Sequence, residues 1–146
     1  MMKTYIVDIS PLKYLEEQPT IDVEGDVFQQ HFIKVLKGVV DNIKIHGSWV
    51  NITTYEEGVD NEFGWHNEKD QKIGFLRGDY AAVLWFAGEE DQGGDLDVLA
   101  ENGDLTRIKF ERGKLIIFPI ATYHKVSAYK GKIRRMSLNF TFDYVT

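Results

Sequence analysis

The segment from Arg135 to Phe142 constrains this chain more than any other. Met136, Leu138, Phe140 and Phe142 alternate with Arg135, Ser137, Asn139 and Thr141. Successive side chains of a β-strand point to opposite faces, so this strand carries one apolar face and one polar face. The apolar face needs a hydrocarbon layer against it, and the polar face needs solvent or a polar cavity. An amphipathic helix can supply the first. From Asp26 to Ile45, the residues Phe28, Phe32, Val35, Leu36, Val39, Val40 and Ile43 recur at three- and four-residue steps. That spacing predicts a one-sided helix with Asp26 as its N-cap and Gly47 as its stop.

Most of the remainder reads as strands. Short runs rich in β-branched and aromatic residues lie at Tyr5 to Ile9, Trp49 to Tyr55, Tyr80 to Phe86, Leu96 to Leu99, Leu105 to Phe110, Lys114 to Phe118, His124 to Tyr129 and Arg134 to Phe142. Gly, Asn and Asp separate them, and Asn102-Gly103 between two apolar runs predicts a hairpin. Many short strands beside one helix, without βαβ alternation, predict a mainly β fold: an antiparallel barrel or two-sheet jelly roll with the helix packed outside one sheet. With 146 residues, three prolines and no low-complexity joint, the chain is expected to form one domain over residues 1–146. The helical part would cover about 26–46 and the barrel about 48–143.

Composition narrows the chemistry. Cysteine is absent, which removes disulfides, thiolate zinc sites and cysteine nucleophiles together. Seventeen Lys+Arg against 23 Asp+Glu leave a net charge of -6, so phosphate backbones are repelled and no nucleic-acid partner is expected. The basic cluster from Lys130 to Arg135 is too short to reverse that. Met1 to Ser10 lacks a signal-peptide core, and no window reaches the roughly 18 apolar residues of a membrane span. The expectation is a soluble protein of a reducing compartment such as the cytoplasm, without a membrane partner.

Four histidines carry the remaining possibilities: His31, His46, His66 and His124. His31 lies beside the apolar helix stripe and His46 near its end, positions that suit structural roles. His66 stands in Gly64-Trp65-His66-Asn67-Glu68. Residues two apart on an extended chain share a side, with about 6.6 Å of rise between them, so His66 and Glu68 can aim at one point. A lone His-x-Glu also fits a solvated strand edge. His124, placed after Leu115-Ile116-Ile117-Phe118-Pro119, completes a set of two imidazoles and one carboxylate. That set is the facial triad that holds Fe(II) and leaves coordination positions open.

With these residues in order, the chain resembles the iron(II)- and 2-oxoglutarate-dependent dioxygenases, and most of all their prolyl 4-hydroxylase-type branch. The likeness runs from Trp49 to Phe142. Tyr55 with Gly58 is similar to the family's Tyr-x-x-Gly lead-in, and Trp65-His66-Asn67-Glu68 stands where the family has His-x-Asp. Arg77 to Phe86 resembles the following strand, and Gly93-Gly94-Asp95-Leu96 the Gly-Gly-acidic-Leu turn. Gly113 to Pro119 then precedes His124, Val126, Gly131 and Arg135-Met136-Ser137-Leu138 in the family's order.

The resemblance implies a double-stranded β-helix in which His66, Glu68 and His124 bind iron and Arg135 grips the distal carboxylate of 2-oxoglutarate. Arg134 is the rival for that role. It shares a strand face with Met136 and Leu138, whereas Arg135 shares one with Ser137 and Asn139, which favours Arg135. Tyr55 is a second donor to the cosubstrate or a buried structural tyrosine. Glu68 departs from the family's usual Asp by one methylene, and Asp70 is the fallback ligand. Members that halogenate lack the carboxylate, so its presence implies hydroxylation, and Thr141 occupies the position where the nucleic-acid demethylases carry a second arginine. The implied cosubstrates are 2-oxoglutarate and O2, with ascorbate as an accessory reductant. The implied substrate is a prolyl residue in a peptide or protein, with a small molecule as the other class. Loops Glu57 to Phe63 and Glu68 to Asp79 are expected to close over the site, and Trp85 to line the pocket or fill core. The alternatives are a non-catalytic barrel module and a cupin-like metal-binding barrel.

Overall fold

The computed structural model describes residues 2–18, 32–36, 38–68 and 78–145. Its strands are β1 (Lys3–Ile6), β2 (Ile43–Thr53), β3 (Phe63–His66), β4 (Tyr80–Ala87), β5 (Leu96–Leu99), β6 (Leu105–Ile108), β7 (Lys114–Pro119), β8 (Tyr123–Val126) and β9 (Arg135–Tyr144), with a 3-10 helix at Ser10–Leu15. They form a five-stranded sheet in the order β1-β7-β4-β9-β2 and a four-stranded sheet in the order β3-β8-β5-β6. All the strand pairings are antiparallel, as in a jelly roll. Among the described residues no helix is long and apolar enough to cross a membrane.

The alternation along β9 sorts the interior into two layers. Met136, Leu138, Phe140 and Phe142, each 0% exposed, join Leu84 and Phe86 of β4 and Leu115 and Ile117 of β7 in one apolar cluster. Phe32, Val35 and Leu36 cover it from outside, with the Phe32 ring edge-on to Phe140 at 4.7 Å. The other face of β9 looks into the space between the sheets. Ser137, Asn139 and Thr141 sit opposite Trp85, Val83 and Ala81 of β4, which pack against Leu96 and Val98 of β5 and Ile108 of β6. The polar face therefore lines a buried interior, the second of the two options that the alternation leaves.

The helix packs on the expected sheet but has different limits. Residues 32–36 are helical. The turn closes through Val40 N–H donating to Leu36 O, and Gly38 takes a φ of 84°, a left-handed conformation that glycine adopts without strain. Ile43, assigned above to the apolar helical stripe, instead begins β2, and Gly47 follows a bulge within that strand. The predicted stop at Gly47 is thus corrected to Gly38. Asp26, Phe28 and His31 lie outside the described residues.

On the outer face of the small sheet, Asp97 of β5 lies between Arg107 of β6 and Lys125 of β8. Arg107 reaches both carboxylate oxygens, at 2.7 and 2.9 Å, and Lys125 lies at 4.0 Å. The hydrogen bonds from Arg107 hold the Asp97 carboxyl below its ordinary range, against the opposing effect of burial. A carboxylate lowered on folding stabilises fully above its unfolded pKa, and that contribution disappears as pH falls through the folded one. Asp97→Asn is expected to lower stability by about 1 kcal/mol near neutrality, limited by the exposure of Arg107. The difference should vanish in acid below the carboxylate range, which urea unfolding at the two pH values will check.

Candidate metal centre

The site is built on two short strands of the small sheet. His124 on β8 pairs with His66 on β3 and with Val98 on β5. Directly paired residues of antiparallel strands share a face, so both imidazoles point inward with Val98. Beyond β3 the Glu68 N–H donates to Ile120 O at 3.2 Å, which ties the carboxylate's backbone to the turn before β8. His124 and Glu68 are buried, and His66 is half-buried at the opening.

One carboxylate oxygen sits between the two rings. Glu68 Oε1 is 3.1 Å from His124 Nε2 and 3.3 Å from His66 Nε2, and the three ligand atoms lie within 4.8 Å of one another. The extra methylene of glutamate therefore does not carry the oxygen past the imidazoles. Each ring turns its Nδ1 to a carbonyl, His66 to Gly64 O at 2.8 Å and His124 to Thr122 O at 3.0 Å. A carbonyl can only accept, so Nδ1 carries the proton and Nε2 faces the convergence point with a lone pair when the ring is neutral. Burial resists ionisation of Glu68, but hydrogen bonds that the two rings donate through Nε2 when protonated overcome it and hold the carboxyl at about 2. Burial acts to lower the His66 imidazole, yet the hydrogen bond with Glu68 carries it above its ordinary value. Two oriented imidazole nitrogens and an ionised carboxylate, with no thiolate in the chain, fit a divalent ion such as Fe(II) that takes mixed N and O ligands.

The adjacent arginines diverge as strand parity requires. Arg134 donates to the carbonyls of Glu16 and Gln18 at 2.6 and 2.7 Å and braces the N-terminal segment. Arg135 turns into the interior, 3% exposed, where its Nε donates to Gly94 O at 3.0 Å. Its guanidinium carbon lies 5.6 Å from the Trp85 ring and 5.5 Å from the Phe110 ring. No carboxylate among the described residues forms an ion pair with it, and burial pushes its pKa down to about 10.

Gly94 allows this approach. A Cβ there would come within 2.7 Å of Arg135 Cδ and Nε, at a φ of 74°. Gly94→Ala is expected to displace the arginine and, through the left-handed backbone alone, to destabilise by about 1–2 kcal/mol. Thermal denaturation will show the loss, and a Gly94→Ala protein as stable as the parent would contradict the tight fit.

The other expected site residues are placed differently. Tyr55 is 45% exposed just beyond β2 and makes no hydrogen bond among the described residues. Asp70 lies outside the described residues, as do positions 69–77 of the second expected closing loop, including Arg77. The first loop is pinned: the Asn61 side chain donates to Tyr129 O at 2.8 Å and accepts from Tyr129 N–H at 2.9 Å. His46 bonds Asp143 at 2.7 Å, away from the triad. Tyr129 was not singled out above. Its ring is 1% exposed beside Gly94, its hydroxyl donates to Ile133 O, and Gly131 leaves the space that hydroxyl needs.

No family model matches the chain, and no curated protein matches it in sequence. Solved structures do. A 2OG-Fe(II) oxygenase family oxidoreductase from Burkholderia pseudomallei is 16% identical with a TM-score of 0.56, covering 82% of this chain and 53% of its own. A Pseudomonas putida prolyl-4-hydroxylase is 15% identical with a TM-score of 0.64, covering 99% of this chain and 88% of its own. A Trichoplax adhaerens prolyl hydroxylase, solved with a hypoxia inducible factor oxygen degradation domain peptide fragment, is 14% identical with a TM-score of 0.53, covering 97% and 62%. The chain thus spans about half the length of the first of these and most of the second. It has the jelly-roll fold of the 2OG-Fe(II) oxygenases, prolyl hydroxylases included.

Proposed function

We propose that this protein is an Fe(II)- and 2-oxoglutarate-dependent dioxygenase that hydroxylates an unactivated C–H bond, with a prolyl residue of a peptide or protein as its substrate. The observation that carries the reading is the convergence of His66, Glu68 and His124 inside a jelly roll whose interior also holds the guanidinium of Arg135, which has no carboxylate partner among the described residues. When bound, ferrous iron and 2-oxoglutarate supply the oxidation, with one atom of O2 ending in succinate and the other in the hydroxylated product, and CO2 released.

The chain's own residues have defined tasks. His66 and His124 present Nε2 because Gly64 and Thr122 hold their Nδ1 protons. Glu68 is ionised throughout the neutral range and supplies the anionic ligand. Arg135 binds the distal carboxylate of the cosubstrate as a charge-assisted pair in a water-poor interior. Val83, Trp85, Val98, Phe110 and Phe118 form the apolar wall that keeps solvent from the reacting centre. The Phe63 ring, 53% exposed and edge-on to His66 at 4.6 Å, stands at the entrance where a substrate side chain would pass. The peptide assignment draws on the fold shared with prolyl hydroxylases, one of them solved with a peptide.

Purified protein incubated with Fe(II), ascorbate and 2-oxoglutarate should release succinate, and proline-containing peptides should raise the rate and gain one oxygen by mass spectrometry. Metal binding with no response to 2-oxoglutarate would instead identify a cupin-like site. No turnover with any peptide and no binding of 2-oxoglutarate would leave a non-catalytic barrel module.

A further inference from the structure

The register of β2 against β9 breaks between Ile45 and Gly47, which makes His46 an extra residue on that strand. A bulge re-aims one side chain, and bulges gather next to active sites. Here it aims His46 along β9 to Asp143, whose in-register partner is Lys44. A carboxylate can only accept, so His46 Nε2–H donates to Asp143 Oδ2, at 2.7 Å. The other carboxylate oxygen accepts from Asp79 N–H, also at 2.7 Å, one residue before β4. Gly78 is pressed into the same clamp. A Cβ there would come within 2.9 Å of His46 Cδ2 and 2.8 Å of Phe142 O, at a φ of 108°.

Residue 79 is held on its other side as well, because its carbonyl accepts from Ile120 N–H at 2.9 Å. Ile120 O in turn accepts from Glu68 N–H at 3.2 Å. Four hydrogen bonds therefore run from His46 through Asp143, Asp79 and Ile120 to the backbone of Glu68. Glu68 needs that support. It stands two residues beyond β3, past the last pairing of that strand with β8, where no ladder fixes the chain. A carboxylate that must sit between two imidazoles tolerates an error of only about 0.5 Å.

We propose that His46 and Asp143 are positioning residues for the metal centre: by holding residue 79, and through it Ile120, they set where the Glu68 carboxylate meets the two imidazoles. The proposal rests on the metal-binding role given to the triad above.

The test uses Co(II), whose affinity is read by calorimetry and whose coordination is read from its visible absorption bands. Asp143→Ala removes the acceptor of both hydrogen bonds. Co(II) affinity should fall about tenfold, the lower end of what loss of an outer partner of a metal ligand costs, and the bands should move. Asp143→Asn keeps an oxygen for Asp79 N–H and should recover most of both. Val35→Ala, in the outer apolar layer, lowers stability without touching this chain of hydrogen bonds and should leave affinity and bands at parent values. Parent-like affinity and bands in Asp143→Ala would overturn the proposal, as would an equal loss in Val35→Ala. Should Asp143→Ala not fold, His46→Phe decides, because it keeps a ring against Gly78 and removes the donor. It should weaken Co(II) binding and move the bands, and parent-like values would again overturn the proposal while leaving the triad in place. A parent protein that binds no Co(II) sinks the triad as a metal site and this proposal with it.

Discussion

Glu68→Ala should reduce ferrous-ion affinity by at least ~100-fold and remove turnover altogether. Loss of a group that only orients a ligand typically costs 10–100-fold, and loss of a ligand itself should reach the top of that range or pass it. The geometry makes Glu68 the most sensitive member of the triad, because its Oε1 is the atom both imidazoles approach, at 3.1 and 3.3 Å. Removing it leaves the two Nε2 atoms without the carboxylate that lies between them. Glu68→Asp is the informative companion. It keeps the charge but withdraws the oxygen by one methylene from a chain anchored through Glu68 N–H to Ile120 O, so affinity should fall between the parent and the alanine variant. Anaerobic calorimetry with Fe(II), or with Mn(II) as a surrogate that resists oxidation, measures the series. Equal affinities in all three proteins would rule out the triad as the metal site.

Arg135→Met should produce opposite changes in function and stability. Truncating one partner of a buried charge pair costs 2–5 kcal/mol of binding, so 2-oxoglutarate affinity should drop by roughly 30-fold to several thousandfold. The ligand-free protein, by contrast, should become more stable, because a buried cation without a carboxylate partner among the described residues gives way to a hydrocarbon of similar length. Burial pushes the guanidinium down to about 10. A base whose pKa is lowered on folding penalises the folded state at every pH below that folded value, and the penalty lifts only above it. At neutral pH the penalty is present in full, on the order of 3 kcal/mol, equivalent to several degrees in Tm for a domain of this size. Thermal melts with and without 2-oxoglutarate on Mn(II)-loaded protein test both halves. At one ligand concentration the parent's Tm should rise by clearly more than that of the variant. A variant that melts lower than the parent without ligand would show that the arginine stabilises the free fold.

What the sequence revealed, and what it hid, follows from periodicity. The two faces of β9 were legible because both are buried against different layers, so the alternation from Arg135 to Phe142 has no break. The convergence of His66 and Glu68 was legible from their separation of two along an extended chain. The helix end was not. Val39, Val40 and Ile43 satisfy a helical spacing, while Ile43 and Ile45 also satisfy a strand's, and only the pairing of β2 with β9 decides between them. β3 escaped notice because it is four residues long, contains Gly64, and is irregular between Phe63 and His66. The placing of Trp85 was hidden most completely. β4 reads YAAVLWFA and is buried on both faces, so no period shows which side of it the tryptophan takes.

The division of β9 between two layers has a consequence for how the molecule comes to exist. Sliding the strand by one position against β2 and β4 would swap its faces, sending four polar side chains into oil and four hydrocarbon ones into the chamber between the sheets. No intermediate alignment satisfies both neighbours. Correct threading of this single strand therefore closes the outer core and delivers the guanidinium to its post in the same step. A chain that has not finished folding has nowhere to receive an anion, so on the proposed function capture of 2-oxoglutarate would report that the barrel is complete.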